Sequence, residues 1–373
     1  MISPFLSQKF RFWAFVSMLL LVFVHGYNLE QRYLEPSSLV SESLTFTSFF
    51  EYFTANGIFR FRIPMLFAIS GYLFALGDTK PYKERVKSRI QSLFVPYILW
   101  SLIGLGLTAL LEQFLPTQGA VRAADLSQPI AEYSWDNYLF RTLLHPIPFQ
   151  LWFIRVLLVY NLAYPLLLRA ATRAPKIWFP VITLIWLMLP INFGFFEPEG
   201  LLFFTLGVWL QKNNVNLETP PRFVQPALWG VAWVLLATAK TLTAFYAEPA
   251  APVFISLLVL HRLCEVLGLV VAWFGMDALV RVCMAQRWVQ WSSAFSFMIY
   301  ALHVPMVNYL LHPAFQMWSG FPMYRLQLYF LLPLAIIAFC IGVGAVLRRF
   351  VPPIYGILTG GRGMGEQFTK TYH

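Results

Sequence analysis

The sequence predicts an all-α, polytopic integral membrane protein, with about ten transmembrane helices and an amphipathic helix near residues 44–59 that does not cross the bilayer. Composition is the first ground, because 58% of the 373 residues are hydrophobic and only 12% are charged, against about 25% charged in soluble domains. The second is that apolar stretches recur along nearly the whole chain, each near the roughly 20 residues that a spanning helix needs. We therefore treat residues 1–373 as one transmembrane domain.

The spans follow the apolar runs in order. The first run follows Lys9 and Arg11 and is not followed by a small-x-small cleavage site, so an uncleaved helix is expected there rather than a signal peptide. The long run 252–280 is expected to tilt or break near His261 and Arg262. The predicted spans are residues 10–28, 63–77, 93–114, 149–168, 177–191, 200–211, 225–245, 252–280, 292–310 and 325–347.

Charge predicts the orientation of these spans. With a cytoplasmic N-terminus, the inside segments are all net basic: "DTKPYKERVKSR", "RAATRAPK", "QKNNVNLETPPR", "RVCMAQR" and the tail from "RRF". The outside segments then carry acidic residues, namely Glu30, Glu35, Glu42, Asp125, Glu132, Asp136, Glu197, Glu199 and Glu248. This pattern satisfies the positive-inside rule and places both termini in the cytoplasm, in a bacterial inner membrane. The net charge of +10 is thereby assigned to topology, and no nucleic-acid partner is expected.

This scheme requires that residues 44–59, "LTFTSFFEYFTANGIF", do not cross the membrane. The segment is amphipathic, as is typical of a helix that lies at the outer interface or re-enters the protein. The alternative is a true span, which would place the basic segment after Asp78 outside the cell.

A histidine and two arginines are predicted to share one depth in the membrane. His25 lies near the outer end of the first span, and Arg60 and Arg62 precede the outer end of the next. Ionisable groups at such depth are costly unless they face a partner or a cavity, so the three residues form a candidate functional site.

Four stretches are characteristic in combination: "FRFWAFVSMLLLVFVHGYN", "FRFRIPMLFAISGYLFALG", "RVKSRIQSLFVPYILW" and "SSAFSFMIYALHVPM". Together they resemble the acyltransferase family 3 membrane proteins, and the resemblance extends over roughly the whole chain. It implies that His25 is the essential catalytic histidine, that Arg62 matches the family's arginine before Pro64, and that Arg85 and Arg89 match its cytoplasmic basic loop. The chain departs from the family at Ala14, where a basic residue is usual; Arg11 lies one helical turn away on the same face.

The resemblance implies transfer of an acyl group, often acetyl, from cytoplasmic acyl-CoA to a hydroxyl of an envelope glycan or a lipid-linked acceptor. The chemistry of the residues agrees with this activity. Acyl transfer to an alcohol needs a base for the hydroxyl proton, which His25 can provide, and positive charge for the oxyanion, which Arg62 or Arg60 can provide. The cations Lys83, Arg85, Lys87 and Arg89 would bind the phosphates of CoA. No metal is expected, because Cys264, Cys283 and Cys340 have neither metal-ligand nor paired spacing.

Simpler interpretations of the same residues stay open. His25 would then sit at the interface, Arg60 and Arg62 would extend their charged ends to it, and the basic loop would act only on topology. His303 resembles a family position, yet a hydrogen bond to another helix would also explain it.

The alternative function is a carrier or flippase for a lipid-linked or anionic solute. The acceptor is not identified, although residues 115–148 could form a lid over it. Membrane lipid surrounds the protein, and the oligomeric state, a homodimer included, is left open.

Overall fold

The fold is described here from a computed structural model, which describes residues 2–27, 29, 35–114, 126, 128–188 and 194–364. Every regular element in those ranges is helical. The α-helices are α1 Pro4–His25, α2 Phe46–Tyr52, α3 Arg62–Leu76, α4 Tyr82–Arg89, α5 Val95–Phe114, α6 Trp135–Leu143, α7 Trp152–Leu162, α8 Tyr164–Arg173, α9 Pro175–Met188, α10 Pro198–Lys212, α11 Pro226–Tyr246, α12 Ala251–Gly275, α13 Asp277–Ala285, α14 Arg287–Ser293, α15 Ser296–Trp318, α16 Tyr324–Phe350 and α17 Pro352–Thr359.

The predicted spans overlap the helices, but not one to one. The span 149–168 overlaps α7 and α8, 252–280 overlaps α12 and α13, and 292–310 overlaps α14 and α15. Among the residues that the structure describes, six continuous helical segments are long and apolar enough to cross a membrane, and the number rises to eight if two pairs of consecutive helices each count as one span. α9 has only 14 residues and α10 only 15. The expected count of about ten is therefore not confirmed, whereas a multi-pass, all-helical membrane protein is.

Contacts between residues divide the chain into two compact units. Unit 1 consists of residues 1–79, 163–293 and 325–330, and unit 2 of residues 80–162, 294–324 and 331–373. His25, Arg60 and Arg62 belong to unit 1, and the basic helix α4 belongs to unit 2.

In unit 1, α3 and α10 lie in close contact through glycines. A Cβ atom at Gly71 would overlap the carbonyl of Phe204, and a Cβ atom at Gly207 would overlap that of Ala68. Small residues of this kind let two membrane helices approach closely without a hydrophobic driving force. The contact holds α3 firmly, and Arg62 is the first residue of α3.

The helix that leads to Arg62 is irregular. A capping box between Thr45 and Ser48 starts α2, and a π-helical turn, Phe53–Gly57, and a 3-10 turn, Ile58–Phe61, follow before α3 begins. The predicted helix at 44–59 is continuous with the span that follows it, because residues 46–76 run on without an intervening loop as one long apolar segment. We refer to residues 53–61 as the helix break.

Of the two alternatives for the run 252–280, a break near His261 and Arg262 is excluded. α12 continues unbroken from Ala251 to Gly275, through His261 and Arg262. Both side chains have partners within unit 1, His261 with Glu265 and Arg262 with Glu199, so they do not interrupt the helix.

Unit 2 contains a second π-helical turn, Ile90–Phe94, between α4 and α5. The glycine-rich segment after α17 packs against it: Gly360 has a φ of 61°, and a Cβ atom there would overlap the carbonyl of Ser92. The Trp100 indole donates to the carbonyl of Leu358 at 2.9 Å. The C-terminal residues of the described chain are thereby fixed beside the basic helix.

Candidate active site

His25 is the last residue of α1 and is half-buried. The helix ends there because Gly26 leaves the helical conformation while its N–H still bonds the carbonyl of Phe23. The partial negative charge at a helix C-terminus stabilises a cation, and this placement suits an imidazole that gains a proton during a reaction.

The residues on either side of His25 contact the helix break. The ring of Phe23 lies 6.4 Å from that of Phe59, edge to face, and the buried Tyr27 lies within electrostatic reach of Arg62. α1 also packs against both turns of the break. The structure therefore brings the end of α1 to the helix break, which carries Arg60 and leads into Arg62.

Arg62 is 2% exposed, and its Nη1 donates to the carbonyl of Phe59 at 2.9 Å. Arg60 lies in the 3-10 turn and is close enough to Arg62 for the two charges to repel. Glu199 and Glu265 lie within electrostatic reach of Arg62 and offset that repulsion. Two guanidinium groups are thus held together at the break inside an apolar unit.

A chain of buried ionisable side chains stands beside these arginines. Lys240 Nζ lies 2.9 Å from Nδ1 of His261, and Nε2 of His261 lies 2.8 Å from Glu265. Arg262 then bridges Glu265 at 3.0 Å and Glu199 at 2.8 Å. We call Lys240, His261, Glu265, Arg262 and Glu199 the buried charge network.

The sequence did not predict this network. His261 and Arg262 were considered only as the place where the run 252–280 was expected to tilt or break. Glu199 was considered only as an outside charge, and Lys240 was not considered. One signal was available, since ionisable residues within apolar runs are functional candidates by default, and Glu265 stands three and four residues after Arg262 and His261 on one helical face.

Arg11 is held away from the helix break. Its Nε donates to Ser293 Oγ at 2.7 Å, and it also donates to the carbonyl of Gln290. Fourteen residues separate it from His25 along α1, roughly 21 Å at 1.5 Å per residue. Lys9, nearby, is buried and paired with Asp277 at 2.8 Å.

Glu51, within the 44–59 segment, is fully buried and pairs with Arg325 at 2.6 Å. Arg325 also bonds Glu42 at 3.0 Å. This burial and pairing keep the Glu51 carboxylate away from lipid. His303 is also buried, but its Nδ1 donates to carbonyls of its own helix, Ile299 at 3.0 Å and Tyr300 at 2.9 Å.

In unit 2, the cations of α4 occupy two faces of the helix. Lys83 and Lys87 are exposed, whereas Arg85 is buried and Arg89 is partly buried. A further cation, Arg362, was not singled out by the sequence: its Nη1 donates to the carbonyls of Ser92 at 2.7 Å and Thr359 at 2.9 Å. Burial, and then repulsion by Arg89, lowers the pKa of Arg362 to about 10. Concentrated positive charge of this kind favours an anionic ligand.

Within the described ranges, no group of three or more His, Cys, Asp or Glu side chains could hold a metal ion. Cys264 and Cys340 are buried thiols, and Cys283 is a partly buried one. Glu30 and Asp125, and much of the proposed lid at 115–148, lie outside the described residues.

Comparison with known proteins identifies the class. Residues 11–349 match the family model of acyltransferase family 3, described as an acyltransferase domain. The chain belongs to this family and is an acyltransferase.

A particular relative is the succinoglycan biosynthesis protein ExoH of Rhizobium meliloti (strain 1021). It is 27% identical to this chain over 318 residues, which cover 83% of this chain and 81% of the relative. No solved structure matches the chain.

Proposed function

We propose that this acyltransferase is a membrane O-acyltransferase that moves an acyl group, acetyl in the simplest case, from acyl-CoA to a hydroxyl of a cell-envelope carbohydrate. The observation that carries the proposal is that the end of α1, where His25 lies, packs against the helix break that carries Arg60 and leads into Arg62, in a chain of the acyltransferase family. The name of the relative, a succinoglycan biosynthesis protein, supports a carbohydrate acceptor.

In the proposed reaction, neutral His25 accepts the proton of the acceptor hydroxyl as its oxygen attacks the thioester carbonyl. A carbon–oxygen bond forms, and the carbonyl oxygen becomes an oxyanion that Arg62 stabilises, with Arg60 in reserve. The tetrahedral centre then collapses, the carbon–sulfur bond breaks, and the thiolate of CoA takes up the proton from His25. No net proton is gained or lost by the enzyme.

For the donor, we propose that Arg85 and Arg89 bind the phosphates of CoA, with Lys83 and Lys87 adding to the positive field and Arg362 contributing from the C-terminal segment. Fixed guanidinium groups suit phosphate because they can bond two of its oxygens at once. We propose that this surface and both termini lie on the cytoplasmic side of the bacterial inner membrane, which is where the positive-inside rule puts basic segments.

The acceptor is tested by mass spectrometry of envelope glycans and lipids from a deletion strain. The expected result is the loss of one acyl mass from a glycan, restored by the wild-type gene and not by His25→Ala. If no acylated glycan is lost and an acylated lipid or peptide disappears instead, the carbohydrate assignment is wrong.

Donor binding is tested with the double variant Arg85→Ala, Arg89→Ala in detergent. Since a hydrogen bond to a charged group contributes about 1.5–3 kcal/mol, donor affinity should fall by roughly tenfold or more for each arginine that binds phosphate. The remaining binding should also be less sensitive to salt. Isothermal titration with acetyl-CoA at two salt concentrations measures both effects.

The matched control is Arg349→Ala, which removes an exposed cation from the end of α16 in the same unit. It should leave donor affinity unchanged. If the double variant also binds with wild-type affinity, the basic helix acts only on topology.

A further inference from the structure

The buried charge network is costly for a membrane protein to keep. All five side chains are nearly inaccessible to solvent, from 0% exposure for Lys240 to 7% for Glu199. Buried ion pairs are weak contributors to stability, since apolar residues of similar volume often stabilise a protein as well or better. A role beyond stability is therefore the stronger explanation for these charges.

The hydrogen bonds of the network agree with a single protonation pattern. Lys240 donates to the carbonyl of Asn56 at 2.6 Å and faces Nδ1 of His261 at 2.9 Å. If Nδ1 accepts from the ammonium, neutral His261 carries its proton on Nε2, which then donates to Glu265 at 2.8 Å. Glu265 and His261 thereby hold the ammonium of Lys240 in one position.

That position is at the helix break. Asn56 lies in the π-helical turn that leads into the 3-10 turn of Arg60 and into Arg62. A change from π to 3-10 geometry interrupts the regular series of backbone hydrogen bonds, and a side chain that bonds a carbonyl there stabilises the irregular backbone. α11 lies directly against this turn, because a Cβ atom at Gly57 would stand 3.1 Å from that of Ala237, three residues before Lys240.

The charges of the network also interact with the charges of Arg60 and Arg62. Arg60 lies within reach of Lys240 and of His261, while Glu199 and Glu265 act on Arg62. The backbone that carries the arginines and the charges that balance them are therefore set by the same five residues.

We propose that Lys240 is a positioning residue of the transferase. Through the Asn56 carbonyl it fixes the backbone from which Arg60 and Arg62 extend, and His261 and Glu265 fix Lys240. The proposal rests on the proposed function, in which Arg62 stabilises the oxyanion.

The test is Lys240→Met, which keeps an unbranched apolar side chain one atom shorter and removes the hydrogen-bond donors. A displacement of about 1 Å at a catalytic group can cost on the order of 10²-fold, so kcat for acyl transfer should fall roughly 10- to 100-fold. The apparent KM for the donor should stay within about twofold of the wild-type value, since only transition-state stabilisation is lost. The control is Lys212→Met, which removes a lysine that also bonds a backbone carbonyl, that of Ala75 at 3.2 Å, and a carboxylate in unit 1. It should leave kcat unchanged.

A double variant separates positioning from general damage. If Lys240 acts through Arg62, adding Lys240→Met to Arg62→Ala should lower kcat by less than about threefold, because residues that act as a unit are not additive. Losses of equal factor in both backgrounds would show an independent role and overturn the proposal, as would a wild-type kcat in Lys240→Met. A wild-type rate in Arg62→Ala alone would instead remove the oxyanion role proposed for Arg62, whereas the absence of acyl transfer by the wild type would overturn the proposed function.

A second variant keeps the proposal testable if Lys240→Met does not fold. Lys240→Gln retains an N–H donor for the Asn56 carbonyl without the charge. His261→Leu leaves Lys240 without its second partner. Lys240→Gln should therefore retain clearly more activity than His261→Leu, and the loss in His261→Leu should be non-additive with that of Arg62→Ala, as expected for Lys240→Met. Equal and uncoupled losses in these two variants would exclude positioning through the break.

Discussion

Replacement of His25 by alanine is expected to lower the rate of acyl transfer by about 10²- to 10⁴-fold, the typical contribution of a general base. The reason is that the acceptor hydroxyl then has no group to take its proton as it attacks the thioester. Expression and donor binding should be unchanged, because His25 is in unit 1 and the basic helix proposed to bind the phosphates is in unit 2. Initial rates with labelled acyl-CoA in detergent measure the effect.

The control for this variant is His312→Ala, which removes an exposed histidine from α15. It should transfer acyl groups at the wild-type rate. A rate near that of the wild type in His25→Ala would remove the catalytic assignment. Rapid-quench trapping of the label separates direct attack, in which the protein carries none, from a relay through a covalent acyl-histidine.

Replacement of Arg62 by alanine is expected to lower kcat by about 10²- to 10³-fold, the usual cost of losing one oxyanion donor. Arg62 is almost fully buried beside Arg60, so the charge acts in surroundings of low dielectric constant where it is worth more than in water. The donor KM should change little, because the oxyanion exists only in the transition state. Steady-state kinetics over a range of donor concentrations separate the two parameters.

Arg169→Ala is the matched control, since Arg169 is an exposed arginine of α8 in the same unit. Its kcat should equal that of the wild type. An effect of Arg62→Ala on KM with kcat unchanged would assign Arg62 to binding of the substrate rather than to the oxyanion.

The positions of the long apolar helices could be predicted because each is an apolar run bounded by charge or proline. Their lengths could not, since packing decides where a helix ends: α9 and α10 are shorter than a bilayer needs, and α12 continues through two charged residues. Pairing with Glu199 and Glu265 neutralises Arg262. Glu199 lies 63 residues before Arg262 in the sequence, and the residues around Arg262 do not indicate this partner.

The three candidate residues at the site could be predicted because helix direction and span length place them at one depth. The helix break could not be read from the sequence, since "FTANGIFRF" carries no signal for a π-helical turn followed by a 3-10 turn. Lys240 was missed for a related reason: its partners belong to two other helical elements, and only the folded chain brings them to it.

The measurement that tests the central claim most directly is acyl transfer in proteoliposomes that contain only the purified chain. Wild type and His25→Ala receive acyl-labelled acetyl-CoA and a polysaccharide acceptor, and label in base-labile ester on the polysaccharide is counted. We expect ester with the wild type and at least about 10²-fold less with His25→Ala. Transport of donor or glycan across the membrane without any ester, or equal ester formation by both proteins, would contradict the account.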